Sequence, residues 1–241
     1  MFIHNRLGML ESVETMLAQE QRLHQVSNNL ANVDTPGYKK ETVTFGEMLY
    51  NVNRTRQRVG KALAIDTVHQ QGVLQQTENP LDLALTGDGF FKIQTPAGVR
   101  YTRAGNFQRN ALGVLVTSNG YPVLGAGGPI EINGDRVEIG PDGRISVDGL
   151  LVDQLDLGTA APEDLVKEGE NLFRLKAGAA EVAPERLVLQ QGYLEKSNVN
   201  TVMEMTEMID LYRAYEGQQK MIRASDELDD LAVRRVGVLA G

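Results

Sequence analysis

Glycine and proline divide this chain before any other feature is considered. Of its 25 glycines, 20 fall between Gly46 and Gly192, and seven of its eight prolines lie between Pro80 and Pro184. Residues that break helices are thus concentrated in the middle and sparse at both ends. The expected fold is α+β, with a mainly-β central domain, a small sandwich or barrel-like arrangement, flanked by long N- and C-terminal helices that pair in a coiled-coil-like manner. The domain boundaries follow: an N-terminal helical arm with its terminating turn at 1–38, a polar linker at 39–66, the β domain at 67–192, and a C-terminal helical arm at 193–241.

The N-terminal arm carries Met9, Met16, Leu23 and Leu30 at seven-residue intervals, with Leu10 and Leu17 one position on and Val13 between them. Such a stripe is narrow, closer to a coiled-coil seam than to the broad face of a helix lying on a core. In the C-terminal arm Met205, Met208, Tyr212, Tyr215, Gln219 and Ile222 alternate spacings of three and four, with charged residues on the other faces. Two terminal helices with narrow seams require a partner helix, in the same chain or in a neighbour.

The stretch "NNLANVDTPGYKK" ends the first arm. Asn28, Asn29 and Asn32 compete for backbone hydrogen bonds, Pro36 disfavours helix at Thr35, and Pro36-Gly37 before Tyr38 predicts a type II turn with Gly37 at positive φ. Beyond it, "LDLALTGDGFFKIQT" reads as a hairpin about Gly87-Asp88-Gly89, and Asn119-Gly120, Asn133-Gly134, Pro141-Asp142-Gly143 and Asp148-Gly149 punctuate further short strands.

Little here suggests chemistry. There is no cysteine, which excludes disulfides, thiolate metal sites and cysteine nucleophiles, and the three histidines share no metal-ligand spacing. The net charge of -8 argues against a nucleic-acid partner. No catalytic residue, metal ligand, cofactor or small-molecule substrate is expected. A carbohydrate-binding or hydrolytic β domain on a helical stalk is the rival reading, with Asp82 and Asp88 as its nearest carboxylates. The opening residues lack the pattern of a cleaved secretory signal. An apolar stripe at a chain end with no chemistry beside it points to assembly, and a head-to-tail contact can propagate as a filament.

Four stretches carry a resemblance. "SNNLANVDTPGYKKETVTFGEMLY", "QGVLQQTENPLDLALTGDGFFKIQ", "YTRAGNFQRNALGVLVTSNGYPVLG" and "EKSNVNTVMEMTEMIDLYRAYEGQQKMIRASDE" together resemble, in order and over nearly the whole chain, the bacterial flagellar rod and hook family. The matching positions are Asn28, Asn29, Leu30, Ala31, Asn32, Thr35, Gly37 and Tyr38; then Asn79, Pro80, Leu81, Asp82, Gly87, Gly89, Phe90 and Phe91; then Met208, Ile209, Arg213, Ala214, Tyr215 and Glu216. The resemblance implies a structural subunit of the basal-body rod that crosses the periplasm, with no catalysis. It implies export through the flagellar type III apparatus without a Sec signal, terminal helices forming a coaxial tube with the β domain outside, and other rod subunits, or further copies of this chain, as partners. Phe45 and Leu49 resemble the export motif of such subunits. The short passage after Tyr50 is most like that of the proximal-rod member, with the distal-rod or hook-type paralogue second.

Overall fold

In the computed structural model the described residues are 2–53, 56–182 and 187–239, with side chains described outside 1–11, 45–63, 183–186, 229–230 and 232–241. The architecture is α+β, with two long helices and a mainly-β centre. Helix α1 spans Phe2–Ala31 and α2 spans Thr201–Leu239. Asn200 opens α2, its side-chain oxygen accepting from the Met203 backbone N–H at 3.2 Å, as an N-cap residue does.

The chain divides into two compact units that are not consecutive in sequence. The first unites 1–31, 41–66 and 200–241, and the second 32–40 and 67–199. Within the first, the region expected to be a polar linker, 39–66, is instead mostly strand: β1, Glu41–Asn53, and β2, Arg56–Thr67, form a two-stranded sheet. Its β-branched run Thr42-Val43-Thr44 suits a pleated strand despite its polarity. Thr44 locks the pair by donating its hydroxyl to Asp66 Oδ2 at 3.0 Å.

The second unit is a set of short antiparallel sheets. The largest has five strands in the spatial order Leu157–Gly158, Phe90–Thr95, Gly98–Thr102, Leu172–Leu175, Leu165–Lys167. A three-stranded sheet joins Val137–Ile139, Arg144–Val147 and Leu150–Gln154. No sheet among the described residues closes on itself, so the barrel-like expectation is corrected: turns every few residues keep the strands too short for the continuous shear a barrel needs.

Strand alternation sorts the core. Successive side chains point to opposite faces. Phe91 and Ile93 therefore enter the main cluster with Leu83, Leu85, Leu115, Ile130 and Ile145, while neighbouring Phe90 faces the other way and packs with Tyr101 and Phe173. Phe91 meets Phe107 edge-on at 5.0 Å, a favoured aromatic geometry.

Candidate functional site

The segment 32–40 stops α1 and is held by the β unit. Thr35 and Tyr38 enclose a turn closed by the Tyr38 N–H donating to the Thr35 carbonyl at 3.2 Å, with Gly37 at φ +66. That sign of φ suits the third residue of a type II turn. A second constraint acts on the same glycine: a Cβ placed there would lie 2.4 Å from the Arg103 carbonyl carbon and 2.5 Å from the Ala104 nitrogen. Gly37 is thus required by its conformation and by the close approach of two backbones. The Asn171 amide donates to the Pro36 carbonyl at 2.8 Å, and Lys167 Nζ lies 3.9 Å from the centre of the buried Tyr38 ring while donating to the Lys39 carbonyl at 3.1 Å.

Three buried charges complete the anchor. Lys39 Nζ donates to Glu195 Oε1 at 2.6 Å and to the Gln70 carbonyl at 2.8 Å. Arg103 Nε lies 3.0 Å from Glu195 Oε2, and its two other nitrogens donate to the Gly89 and Gly87 carbonyls at 2.6 and 2.8 Å. The Gly72 N–H also donates to Glu195 Oε1, at 2.9 Å. The Lys39 and Glu195 side chains are each 1% exposed and Arg103 4%. Burial lowers the pKa of both bases, and Glu195 opposes that shift in each. A buried carboxylate holding two buried cations is an expensive arrangement that persists because each group is also hydrogen-bonded.

Beside this cluster lies a cleft of about 190 Å³ lined in part by Lys39, His69, Asp88, Phe90 and Arg103. His69 packs edge-on to Phe90 at 6.1 Å and tilted against Phe173 at 5.6 Å. Burial, with Lys39, Arg103 and Lys167 nearby, holds its imidazole below the ordinary histidine range. In the unfolded chain the group titrates near 6.5. Between the folded and unfolded values the unfolded chain binds more protons, so stability rises with pH there. The contribution is complete above the unfolded value and is lost as pH falls through the folded one. Urea midpoints compared at about pH 7.5 and about pH 5.5 are expected to differ less in His69→Phe than in the parent chain.

The rival carboxylates do not form a pair for sugar chemistry. Asp82 is buried and accepts from the Asn79 side-chain amide at 3.0 Å, stiffening the turn at Pro80-Leu81, whereas Asp88 is exposed at the cleft. Among the described residues no cluster of ligating side chains could hold a metal ion.

In the other unit, α1 and α2 lie side by side and antiparallel. Arg22 Nη2 meets Glu207 Oε1 at 2.6 Å, and Asn29 Nδ2 meets Glu204 Oε2 at 3.2 Å. The described positions of α2 that are buried or partly covered are Thr201, Glu204, Glu207, Met208, Leu211, Tyr215, Gln218, Gln219, Ile222 and Ser225, with Glu204, Met208, Leu211, Tyr215, Gln218 and Ile222 alternating four and three. Met208, Tyr215, Gln219 and Ile222 belong to the seam read from the sequence, but Met205 and Tyr212 are each 51% exposed. On α1, Met16, Leu23 and Leu30 are partly covered, Val26 is buried, and Val13 and Leu17 are 42% and 55% exposed. The side chains of Met9, Leu10, Phe45 and Leu49 lie outside the described residues.

Three family models match separate stretches: "Flagella basal body rod protein" at 9–39, "Flagellar hook protein FlgE/F/G D1 domain" at 84–147, and "Flagellar basal body rod FlgEFG protein C-terminal" at 190–235. Full-length relatives agree. The chain is 38% identical to the flagellar basal-body rod protein FlgG of Bacillus subtilis, over 92% of this chain and 96% of that one. It is 34% identical to FlgF of Rhizobium meliloti, over 95% and 98%, and 36% identical to FlgF of Caulobacter vibrioides, over 90% and 92%. The chain belongs to the flagellar basal-body rod proteins of the FlgF/FlgG type. It is a structural protein of the flagellum. Each of the three family stretches contributes one member of the buried cluster, Lys39, Arg103 and Glu195 in turn. Sequence motifs far apart in a rod protein thus meet at one set of charges. Sequence reasoning missed all three, because nothing in a single chain distinguishes a buried lysine from the many solvated ones.

Proposed function

We propose that this rod protein assembles through a second, outward seam on its helices, whose occupants are the helices of neighbouring rod subunits or further copies of this chain. The observation that carries the reading is an exposed apolar stripe on α2, roughly a third of a turn round the helix from its covered side. Val202, Met205, Ile209 and Tyr212 follow the spacing three, four, three and are 73%, 51%, 52% and 51% exposed. Val13 and Leu17, one turn apart, add an exposed apolar pair on α1. A helix apolar on the face away from its intramolecular partner, at coiled-coil spacing, is built to receive another helix. Both seams together, in this reading, pair the arms in a coiled-coil-like manner and make the axial wall of the rod.

Within the family the reading favours the proximal-rod, FlgF-type subunit. The alignment with FlgG of Bacillus subtilis runs to 252 positions, more than the 241 residues of this chain, so that relative carries stretches absent here. The alignment with FlgF of Rhizobium meliloti needs only 235. Export through the flagellar type III apparatus, with Phe45 and Leu49 as its motif, and residence in the part of the rod that crosses the periplasm, complete the proposal. No described helix is long and apolar enough to cross a membrane.

The test is complementation. The chain is expected to restore swimming to a strain lacking FlgF and not to one lacking FlgG. The variant Ile209→Ser with Tyr212→Ser is expected to keep monomer stability within about 0.5 kcal/mol, because both residues are exposed, yet to leave the strain non-motile. A doubly substituted chain that swims like the parent overturns the role of this face.

A further inference from the structure

The same helical pair buries a side-chain amide against a carboxylate. Glu204 is completely buried and Asn29 is 1% exposed, both on the covered faces of α2 and α1. Asn29 Nδ2 donates to Glu204 Oε2 at 3.2 Å and to the Glu41 carbonyl at 2.9 Å, while its Oδ1 accepts from the Glu41 N–H at 3.1 Å. The side-chain amide therefore engages the first residue of β1 as a neighbouring strand would, on both its donor and its acceptor. Gln25, one turn earlier on α1, donates to Glu41 Oε2 at 2.8 Å. One asparagine thus joins α1, β1 and α2 within one unit.

An apolar residue at 204 would bury more apolar area, whereas one at 29 would deprive the Glu41 N–H and carbonyl of the partner Asn29 gives them. Buried polar groups have another effect: sliding one helix past the other by a heptad still matches apolar surface to apolar surface, but leaves the amide and the carboxylate buried without each other. We propose that Asn29 and Glu204 are a register pin that selects one axial alignment of α1 against α2. The alignment determines where Val13 and Leu17 stand relative to Met205 and Tyr212, and so the shape of the surface offered to neighbours. The consequence for neighbours rests on the assembly reading above; the pin itself does not.

The chain has no cysteine, which permits a direct measurement on the full-length monomer. Arg22→Cys with Glu207→Cys reports the observed alignment, since these side chains touch. Arg22→Cys with Ala214→Cys reports a shift of one heptad. With a short bifunctional maleimide, the first pair is expected to react faster than the second by about tenfold, the discrimination that one buried hydrogen bond supports. In Glu204→Met, which preserves side-chain length, the ratio is expected to fall towards one while helix content stays, with a lower melting temperature because the buried Asn29 amide loses an acceptor. Glu204→Gln retains an oxygen for Asn29 and is expected to keep the parent ratio. A Glu204→Met chain that keeps the tenfold preference overturns the pin, as does a Glu204→Gln chain that loses it. Because the readout is intramolecular, a loosened alignment in a chain that never enters a rod would uphold the pin and sink the assembly reading.

Discussion

Glu195→Ala is expected to destabilise the protein by about 3–5 kcal/mol, the range for removing one member of a buried ion pair. The substitution leaves Lys39 and Arg103 buried without their counter-charge and deprives the Gly72 N–H of its acceptor. Lys39→Met is expected to cost less, because Glu195 keeps Arg103 and the Gly72 N–H. Equilibrium urea unfolding of the three chains orders them. A Glu195→Ala chain as stable as Lys39→Met would show that the carboxylate is not what neutralises this site. The parts of the chain that Glu195 joins, residues 32–40 and the strand Tyr193–Glu195, are expected to lose protection from protease first.

Gly37→Ala is the second large effect, about 3 kcal/mol or more, from left-handed strain and overpacking acting together. The clash is with the Arg103–Ala104 backbone, which cannot rotate away as a flexible side chain could. The expected result is a β unit that remains folded with 32–40 detached from it, seen as new cleavage within that segment and as loss of swimming in the complemented strain. An intact, motile Gly37→Ala chain would remove this account of the turn. Gly120, also at positive φ but with nothing within 4 Å, is the control: Gly120→Ala should show the conformational cost alone, about 1 kcal/mol.

Much of the architecture was legible because it depends on local backbone chemistry. The dearth of glycine and proline at the ends permitted two helices of 30 and 39 residues, and the turn residues of the middle placed short strands between them. Pro36-Gly37 identified its own turn, since few residues tolerate the φ that Gly37 adopts. The strands at 41–67 are less legible, because their polarity matches that of a linker, although β-branched residues such as Thr42 and Thr44 favour strand. On α2 two phases of the same three-four pattern share Met208, Tyr215 and Ile222. The apolar Met205 and Tyr212 mark one phase, while the covered phase includes Glu204 and Gln218. Hydrophobicity marks a face that will be covered by something, and it does not say whether that is the same chain.

The sequence alone determined the α+β class, the positions of the helices and turns, and, through its resemblance to rod and hook proteins, the family. Each of these is carried by neighbouring residues in the chain, where spacing and backbone preference act directly. Only the tertiary structure decided that Lys39, Arg103 and Glu195 form one buried cluster, that Asn29 meets Glu204, and which side of α2 is turned outward. Those outcomes depend on groups as many as 185 residues apart, whose burial and pairing exist only once the chain has folded.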